Sequence, residues 1–407
     1  MEGNALILQS GQPTAVANAS LSGLINEALN QGNIENIYGS IDGFRGLLTE
    51  SLIDLAEESQ QMIRALEWTP GAVLGTGGSF ILDKQTDLDR ACEVISRHNI
   101  RYVFCIGDSS ALTSASNLLS RAQSKSYELF LIAIPQSAQN NFSSTDYTLG
   151  YGSALKTFAT ALREMELETI KTSDENIVNL VEVQGQNNSW LTAGSILSKA
   201  KKESSYLLIY TLEQPLQISS FLNNIREALK ATPTCTVVFP SNITDENGNY
   251  FSNEQGSLTP AEHLAAALED NLGLKTQIRK FSSELRTQSS TISAQDSKMA
   301  TIAAQVAVKS AIEKGQTGQA ITFFRNDRDA YSCEIQTVDI ATFMASQKNF
   351  PTDWIDSETS SIKYPFVKYA SPLIQGEIQV QFEQGLPKFA QFQKLYVTKQ
   401  LPAHSHS

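Results

Sequence analysis

The stretch Ile134–Pro135–Gln136–Ser137–Ala138–Gln139–Asn140–Asn141 is where this chain has the spacing for chemistry. It follows the apolar, strand-like run Leu129–Phe130–Leu131–Ile132–Ala133 and precedes Thr145–Asp146 and Gly150–Tyr151–Gly152–Ser153–Ala154. Its polar side chains are amides and a hydroxyl. An amide does not accept a proton near neutral pH, so Gln136, Gln139 and Asn141 cannot act as a general base. Residues 10–14, with Gly11 and Gln12, and 107–111, with Asp108 and Ser110, lie in two more turns that lead from strand to helix. The four histidines are scattered: His98 at a helix end, His263 in a helix, His404 and His406 in the tail. That pattern predicts surface or capping roles and no metal site. Cys92, Cys105, Cys235 and Cys333 are far apart and read as reduced thiols rather than disulfides.

Short apolar runs alternate with helical spacing along most of the chain. Ala5–Gln9, Tyr102–Ile106, Glu128–Ile134 and residues 177–183, 206–212 and 234–239 read as strands. Residues 14–30, 85–98, a segment from about Ser110, Gly152–Glu168, 190–203 and 216–230 read as helices. This order predicts an α/β fold with mostly parallel sheets flanked by helices. In such sheets ligands bind beyond the carboxyl ends of strands, which is where the three turns fall. The polar stretch 240–259 reads as a loop, and Pro402–Ser407 as a frayed end. With 407 residues the chain is expected to form two domains. A net charge of −12 excludes a basic face for nucleic acid or anionic membrane. No apolar run is long enough to span a bilayer, and the opening residues show no secretory pattern, so a cytoplasmic location is expected.

Taken together these segments resemble the phosphofructokinase family, most closely its diphosphate-dependent branch, over roughly residues 5–377. Gly11–Gln12–Pro13–Thr14–Ala15–Val16–Ala17–Asn18 resembles the family's opening G-G-P-T-A-V-I-N, and Pro70–Gly71–Ala72–Val73–Leu74–Gly75–Thr76 its P-G-A-x-L-G-S turn. Leu285–Arg286 through Ser293–Ala294–Gln295–Asp296 resembles Q-R-S-x-x-H-x-x-S-x-x-D, and Tyr369–Glu377 resembles Y-x-x-P-L-I-x-G-E. The resemblance implies two Rossmann-like domains: a donor side over 1–163 and 285–335, and a sugar side over 164–284 and 336–407.

The central stretch matches the family's P-K-T-I-D-N-D frame without its charges. Gln136 stands at the Lys, Gln139 at the proton-abstracting Asp and Asn141 at the second Asp. At the implied donor site Gln12 replaces a phosphate-approaching Gly beside Gly11, Gly78 falls where an Arg is expected, and Ser110 stands at the Mg²⁺-binding Asp, with Asp108 a residual carboxylate at a Gly position. On the implied sugar side, Ser137 and Asn140 belong to the central stretch, and Gln184–Gly185–Gln186 replaces M-G-R. Ser241 with Asn242 replaces E-G, Gln277 an Arg (with Arg279 nearby) and Ser290 a His, while Glu213 and Arg286 persist. Gly150, Gly152 and Asp146 are expected to shape a turn and cap a helix. Arg286 serves either a phosphate or a subunit interface.

The expectation is a protein with this fold and no phosphoryl transfer, acting in assembly or regulation, as a homo-oligomer or with a catalytic paralogue, with no cofactor. One alternative is an active diphosphate-dependent 6-phosphofructokinase using Mg²⁺. Another is a sensor holding a weak sugar-phosphate or anion ligand around Arg286, Asn140 and Ser153.

Overall fold

The computed structural model describes residues 1–172, 176–199, 205–251, 258–326 and 331–404. Its main strands in chain order are β1 (Gly3–Ser10), β2 (Ile34–Ser40), β3 (Leu52–Asp54), β4 (Ile100–Gly107), β5 (Phe130–Pro135), β6 (Ile177–Val183), β7 (Tyr206–Ile209), β8 (Thr234–Pro240), β9 (Lys275–Phe281), β10 (Gln319–Asn326) and β11 (Ser332–Asp339). The chain divides into two compact units. Unit 1 comprises Met1–Ser153, Arg286–Lys348 and Gly376–Ser407, and unit 2 comprises Ala154–Leu285 and Asn349–Gln375. These bounds differ from those expected: residues 336–348 and 376–407 fall in unit 1, and 154–163 and Leu285 in unit 2.

Unit 1 is built on a seven-stranded sheet of order β11-β10-β5-β4-β1-β2-β3. β1, β2, β4, β5 and β10 pair in parallel, and β3 and β11 close the two ends antiparallel. All eight residues of β1 are buried, the continuous pattern of a strand covered on both faces. Leu6, Leu8, Val103, Cys105, Leu131 and Ala133 form its core with Ile95, Leu112 and Leu118. The register pairs Ser10 with Gly107 and Gly107 with Pro135. β1, β4 and β5 therefore end side by side, and the three polar turns read from the sequence are neighbours. The strand order reverses at β1, where an open α/β sheet presents a crevice.

The edge strand β3 is covered by the segment 395–397. Asp54 N donates to Leu395 O (3.0 Å) and Val397 N to Leu52 O (2.8 Å). Buried Glu50 accepts from Gln400 N and Leu401 N (2.9 and 3.0 Å), and Arg90 Nη2 donates to Pro402 O (2.8 Å). His98 is the C-cap of helix Gln85–Arg97, a helix-end place as expected, and there it is buried 2.8 Å from Glu50 Oε1. Residues 405–407, including His406, lie outside the described residues.

Unit 2 holds a four-stranded parallel sheet of order β7-β8-β6-β9. β6 and β8 are buried throughout. Helices Ile218–Ala231 and Pro260–Leu272 supply Phe221, Ile225 and Leu264 to a core with Val178, Leu180, Val237 and Phe239. The edge strand β9 is largely polar, which guards it against pairing and explains why it is not legible as a strand. The helix expected over 190–203 is Ser189–Gly194 continued by a 3-10 turn, Ser195–Ser198; residues 200–203 lie outside the described residues. Trp190, Phe350, Trp354, Phe366 and Tyr369 pack as one aromatic cluster. No described helix is long and apolar enough to cross a membrane.

Candidate functional site

In unit 1 the site is the row of turns after β1, β4 and β5. Gly11 has a φ of +79°, and a Cβ there would lie 2.2 Å from Asp108 Oδ1. Only glycine fits, and what it makes room for is the chain's own carboxylate. Asp108 is the N-cap of helix Ser109–Ser124. Its Oδ1 accepts from Ser110 N (3.0 Å), Ser110 Oγ (2.6 Å) and Ala111 N (3.3 Å), and its Oδ2 from Gln12 N (2.9 Å). Both oxygens thus close the first and second turns onto each other. The Gln12 side chain does not hang in the turn alone, because its Oε1 accepts from Arg286 Nη1. Gly78 has a φ of +70° with open space where a Cβ would sit. An Arg side chain would fit there sterically but would strain the backbone.

The turn after β5 is anchored inward. Gln136 is 1% exposed; its Oε1 accepts from Thr14 Oγ1 and its Nε2 donates to Ser20 Oγ (3.0 Å). Ser137 Oγ accepts from Gln139 N (3.1 Å), leaving Gln139 half-buried. Asn140 is fully buried at a φ of +53°, with Oδ1 accepting from Thr148 N (3.0 Å). Asn141 O accepts from Lys348 N (3.0 Å), and Asn141 Oδ1 is shielded with no protein partner. Gln9 and Asn18 accept from Leu74 N (3.1 Å) and Val73 N (2.9 Å), holding the 70–76 turn beside β1.

Asp146 does not cap the helix that starts at Tyr151. It pairs with Arg325 Nε at 3.1 Å, and the Lys348 ammonium donates to the Thr145 and Asp146 carbonyls. The cap comes from Asp296, on helix Ala294–Ile312. Its carboxylate accepts from Gly150 N (3.1 Å), Ser153 N (2.9 Å) and Ser153 Oγ (2.7 Å). Burial pushes its carboxyl pKa up, opposed by those three bonds. Asp296 ends the Leu285–Asp296 segment, but its partner lies 143 residues earlier, beyond the reach of any local pattern. Lys348 and Thr14 were likewise missed, for want of any spacing signal. Burial and the nearby Arg325 pull the Lys348 amine down to about 8, with Asp146 opposing. Arg286, Asn140 and Ser153, expected around one anion pocket, bond to three different neighbours: Gln12, Thr148 and Asp296.

In unit 2 the corresponding positions follow β6, β7 and β8. Gln184 N donates to Phe281 O (2.8 Å), Gly185 has a φ of +121°, and Gln186 is exposed. Ser241 N donates to Val183 O (2.9 Å). Glu213 Oε1 accepts from Phe350 N (3.2 Å), while its Oε2 is shielded with no protein partner. Gln277 pairs with Asn179 in the sheet. Its neighbour Arg279 bonds Glu168 at 3.0 Å, so this guanidinium is engaged on the surface.

The family model described as Phosphofructokinase matches residues 4–311. The pyrophosphate–fructose 6-phosphate 1-phosphotransferase of Halomonas elongata is 28% identical over 415 residues, covering 98% of each chain. The protein of the same name from Xanthomonas campestris pv. campestris is 27% identical, covering 98% of this chain and 99% of its own. The crystal structure of a pyrophosphate-dependent phosphofructokinase from Nitrosospira multiformis superposes with a TM-score of 0.91 at 26% identity, over all of both chains. That match of sheets, turns and order over the full length means that the chain belongs to the phosphofructokinase family, in its diphosphate-dependent branch.

Proposed function

We propose that this chain is a non-catalytic member of its family, a binding and assembly protein that does not transfer phosphate. The observation that carries the reading is the identity and setting of the central stretch. Gln139 stands where a base is required, and Gln136 is buried in bonds to Thr14 and Ser20. Phosphoryl transfer depends on a base and on cations placed around the moving group.

The family resemblance also implies Mg²⁺, and the donor set does not fit it. A hard cation needs free carboxylate oxygens. Asp108 instead faces the amides of Gln12, Ser110 and Ala111 and the Ser110 hydroxyl. Association with a second copy or with a catalytic paralogue, in the cytoplasm, belongs to this reading.

The test is a coupled assay of the purified chain with fructose 6-phosphate, Mg²⁺, and diphosphate or ATP. No turnover above a heat-treated control is expected. Turnover that EDTA abolishes overturns the reading. Restoring Gln139→Asp, Asn141→Asp and Ser110→Asp together is expected to leave the chain silent. An Asp at 110 would sit against the Asp108 carboxylate, and Gln12 would still occupy its turn.

The names of the relatives favour a second reading, an active diphosphate-dependent 6-phosphofructokinase assisted by Mg²⁺. Under it, Asp108 must exchange its amide bonds for the metal, and a group other than Gln139 must take the sugar proton. The same assay decides between the two.

A further inference from the structure

Asn247–Gly248 is the one Asn-Gly pair in the chain. At such a pair the main chain can attack its own side chain, because the Gly nitrogen reaches the Asn Cγ with no Cβ to screen it. Both residues are exposed, and nothing lies within 4 Å of where a Gly248 Cβ would be. Gly248 has a φ of +80° and donates its N–H to Asp245 O (3.0 Å), a turn bond open to water. Exposed bonds of this kind open at small cost, which frees the nitrogen. Other asparagines before small residues are held differently. Asn4 lies in β1, Asn18 in helix Ala17–Ala28 and Asn188 directly before helix Ser189–Gly194, and all three are buried. A regular, packed backbone keeps the following nitrogen away from Cγ.

The turn around this pair is sensitive to a new charge. Asp245 Oδ1 accepts from Asn247 N and Asn249 N (both 2.8 Å), and its Oδ2 from Asn249 Nδ2 (3.2 Å). A bridge between Thr244 and Tyr250 closes the loop, and Leu216 N donates to Thr244 O (2.9 Å), which ties it to the segment before helix Ile218–Ala231. Asp245, Glu246 and Asn247 stand together on the wall of a cavity of about 420 Å³, with Gln217, Tyr250 and His263. A third carboxylate there would be repelled by Asp245 and Glu246. One extra main-chain carbon would break the spacing that brings two amides to Asp245.

We infer that Asn247 is a deamidation site of the folded chain. The Gly248 nitrogen, having lost its proton to solvent base, bonds to Asn247 Cγ. The Cγ–Nδ2 bond breaks, and Nδ2 takes a proton from water and leaves as ammonia, which gives a five-membered succinimide. Water then adds to one ring carbonyl, and the bond from that carbonyl to the Gly248 nitrogen breaks. Opening at Cγ leaves aspartate. Opening at the main-chain carbonyl leaves isoaspartate, in which the chain runs through the side-chain carbon. Nothing is oxidised or reduced. Either product adds a negative charge at 247 and loosens the 244–250 turn. This goes beyond the non-catalytic reading and does not depend on it.

The experiment is incubation of the full folded chain in mildly alkaline buffer, followed by peptide mapping and by enzymatic methylation of isoaspartyl groups. Aspartate and isoaspartate are expected at 247, forming at least about tenfold faster than at Asn4, Asn18 or Asn188. Asn247→Gln, whose longer side chain closes the ring poorly, should remove the isoaspartate signal while circular dichroism and melting stay as in the parent. Hydrogen exchange at Gly248 and Asn249 should rise in the modified chain, and unchanged exchange there would overturn the loosening of the turn. Three outcomes overturn the site itself. The folded chain could stay intact at 247 while the urea-unfolded chain deamidates there, which would show that the turn keeps the nitrogen from Cγ. Aspartate could form without isoaspartate, which is hydrolysis with no ring. The isoaspartate signal could persist in Asn247→Gln, which would place it elsewhere in the chain.

Discussion

The turns after β1 and β4 in unit 1 and the segments after β6, β7 and β8 in unit 2 occupy the same place in their sheets, yet they handle polar groups in opposite ways. In unit 1, Asp108 takes four donors from the chain itself, and Gln12 Oε1 takes a fifth from Arg286. In unit 2, Glu213 Oε2 and Asn242 Oδ1 are shielded and receive nothing from the protein. A closed network leaves little for a ligand to satisfy. An open one is stabilised by whatever completes it. The loop after β5 is intermediate: Gln136 and Asn140 are satisfied, whereas Asn141 Oδ1, Tyr147 Oη and Thr148 Oγ1 lack protein partners.

The largest expected effect comes from breaking the closed side at its most buried point. Asp296→Ala should cost about 3–5 kcal/mol, because Gly150 N, Ser153 N and Ser153 Oγ lose one shared acceptor in the interior. A shift of the urea midpoint at constant slope would measure it. A loss below about 1 kcal/mol would mean that the helix start is held by something else.

Asp108→Ala should cost about 2 kcal/mol, a lost cap plus a lost bridge between turns. Hydrogen exchange should rise at Gln12, Ser110 and Ala111, which the carboxylate protects. Unchanged exchange there would show the first two turns to be independent.

Lys348 sharpens the comparison through pH. Its amine titrates at about 8 in the folded chain against a usual 10.5. Between those values the unfolded chain binds more protons, so this group makes stability rise as pH increases. The side chain is half-buried, so the gain is discounted to about 1 kcal/mol from pH 7.5 to 9.5. Urea unfolding of the parent and of Lys348→Met should differ by that amount in their pH response. Parallel responses would show that Lys348 titrates as though exposed.

The smallest effect belongs to the open side. Glu213→Gln should change stability by under about 1 kcal/mol, since the atom that loses its charge has no protein partner to lose. A cost as large as that of Asp108→Ala would make unit 2 as closed as unit 1 and remove the contrast.

Most of the frame was legible from sequence. The runs before Gly11, Asp108 and Gln136 are continuous and apolar because β1, β4 and β5 are covered on both faces. The polar edge strand β9 and the antiparallel pair β10–β11 were not legible, because half-exposed strands mix charged and apolar residues. At the site, the residue types at 136, 139 and 141 could be read directly. The burial of Gln136, the pairing of Gln12 with Arg286, the ion pair of Asp146 with Arg325 and the burial of His98 against Glu50 could not.

By itself, the sequence determined the α/β alternation, the family frame and which charged groups are missing from it, because periodicity and motif order are properties of neighbours along the chain. Only the tertiary structure decided what the remaining polar groups do. Asp108 meets Gln12 across 96 residues, Asp296 meets Ser153 across 143, and Arg286 meets Gln12 across 274. Whether a polar group is satisfied or left open is set by which strand ends the sheet order brings together, and local spacing carries no record of that.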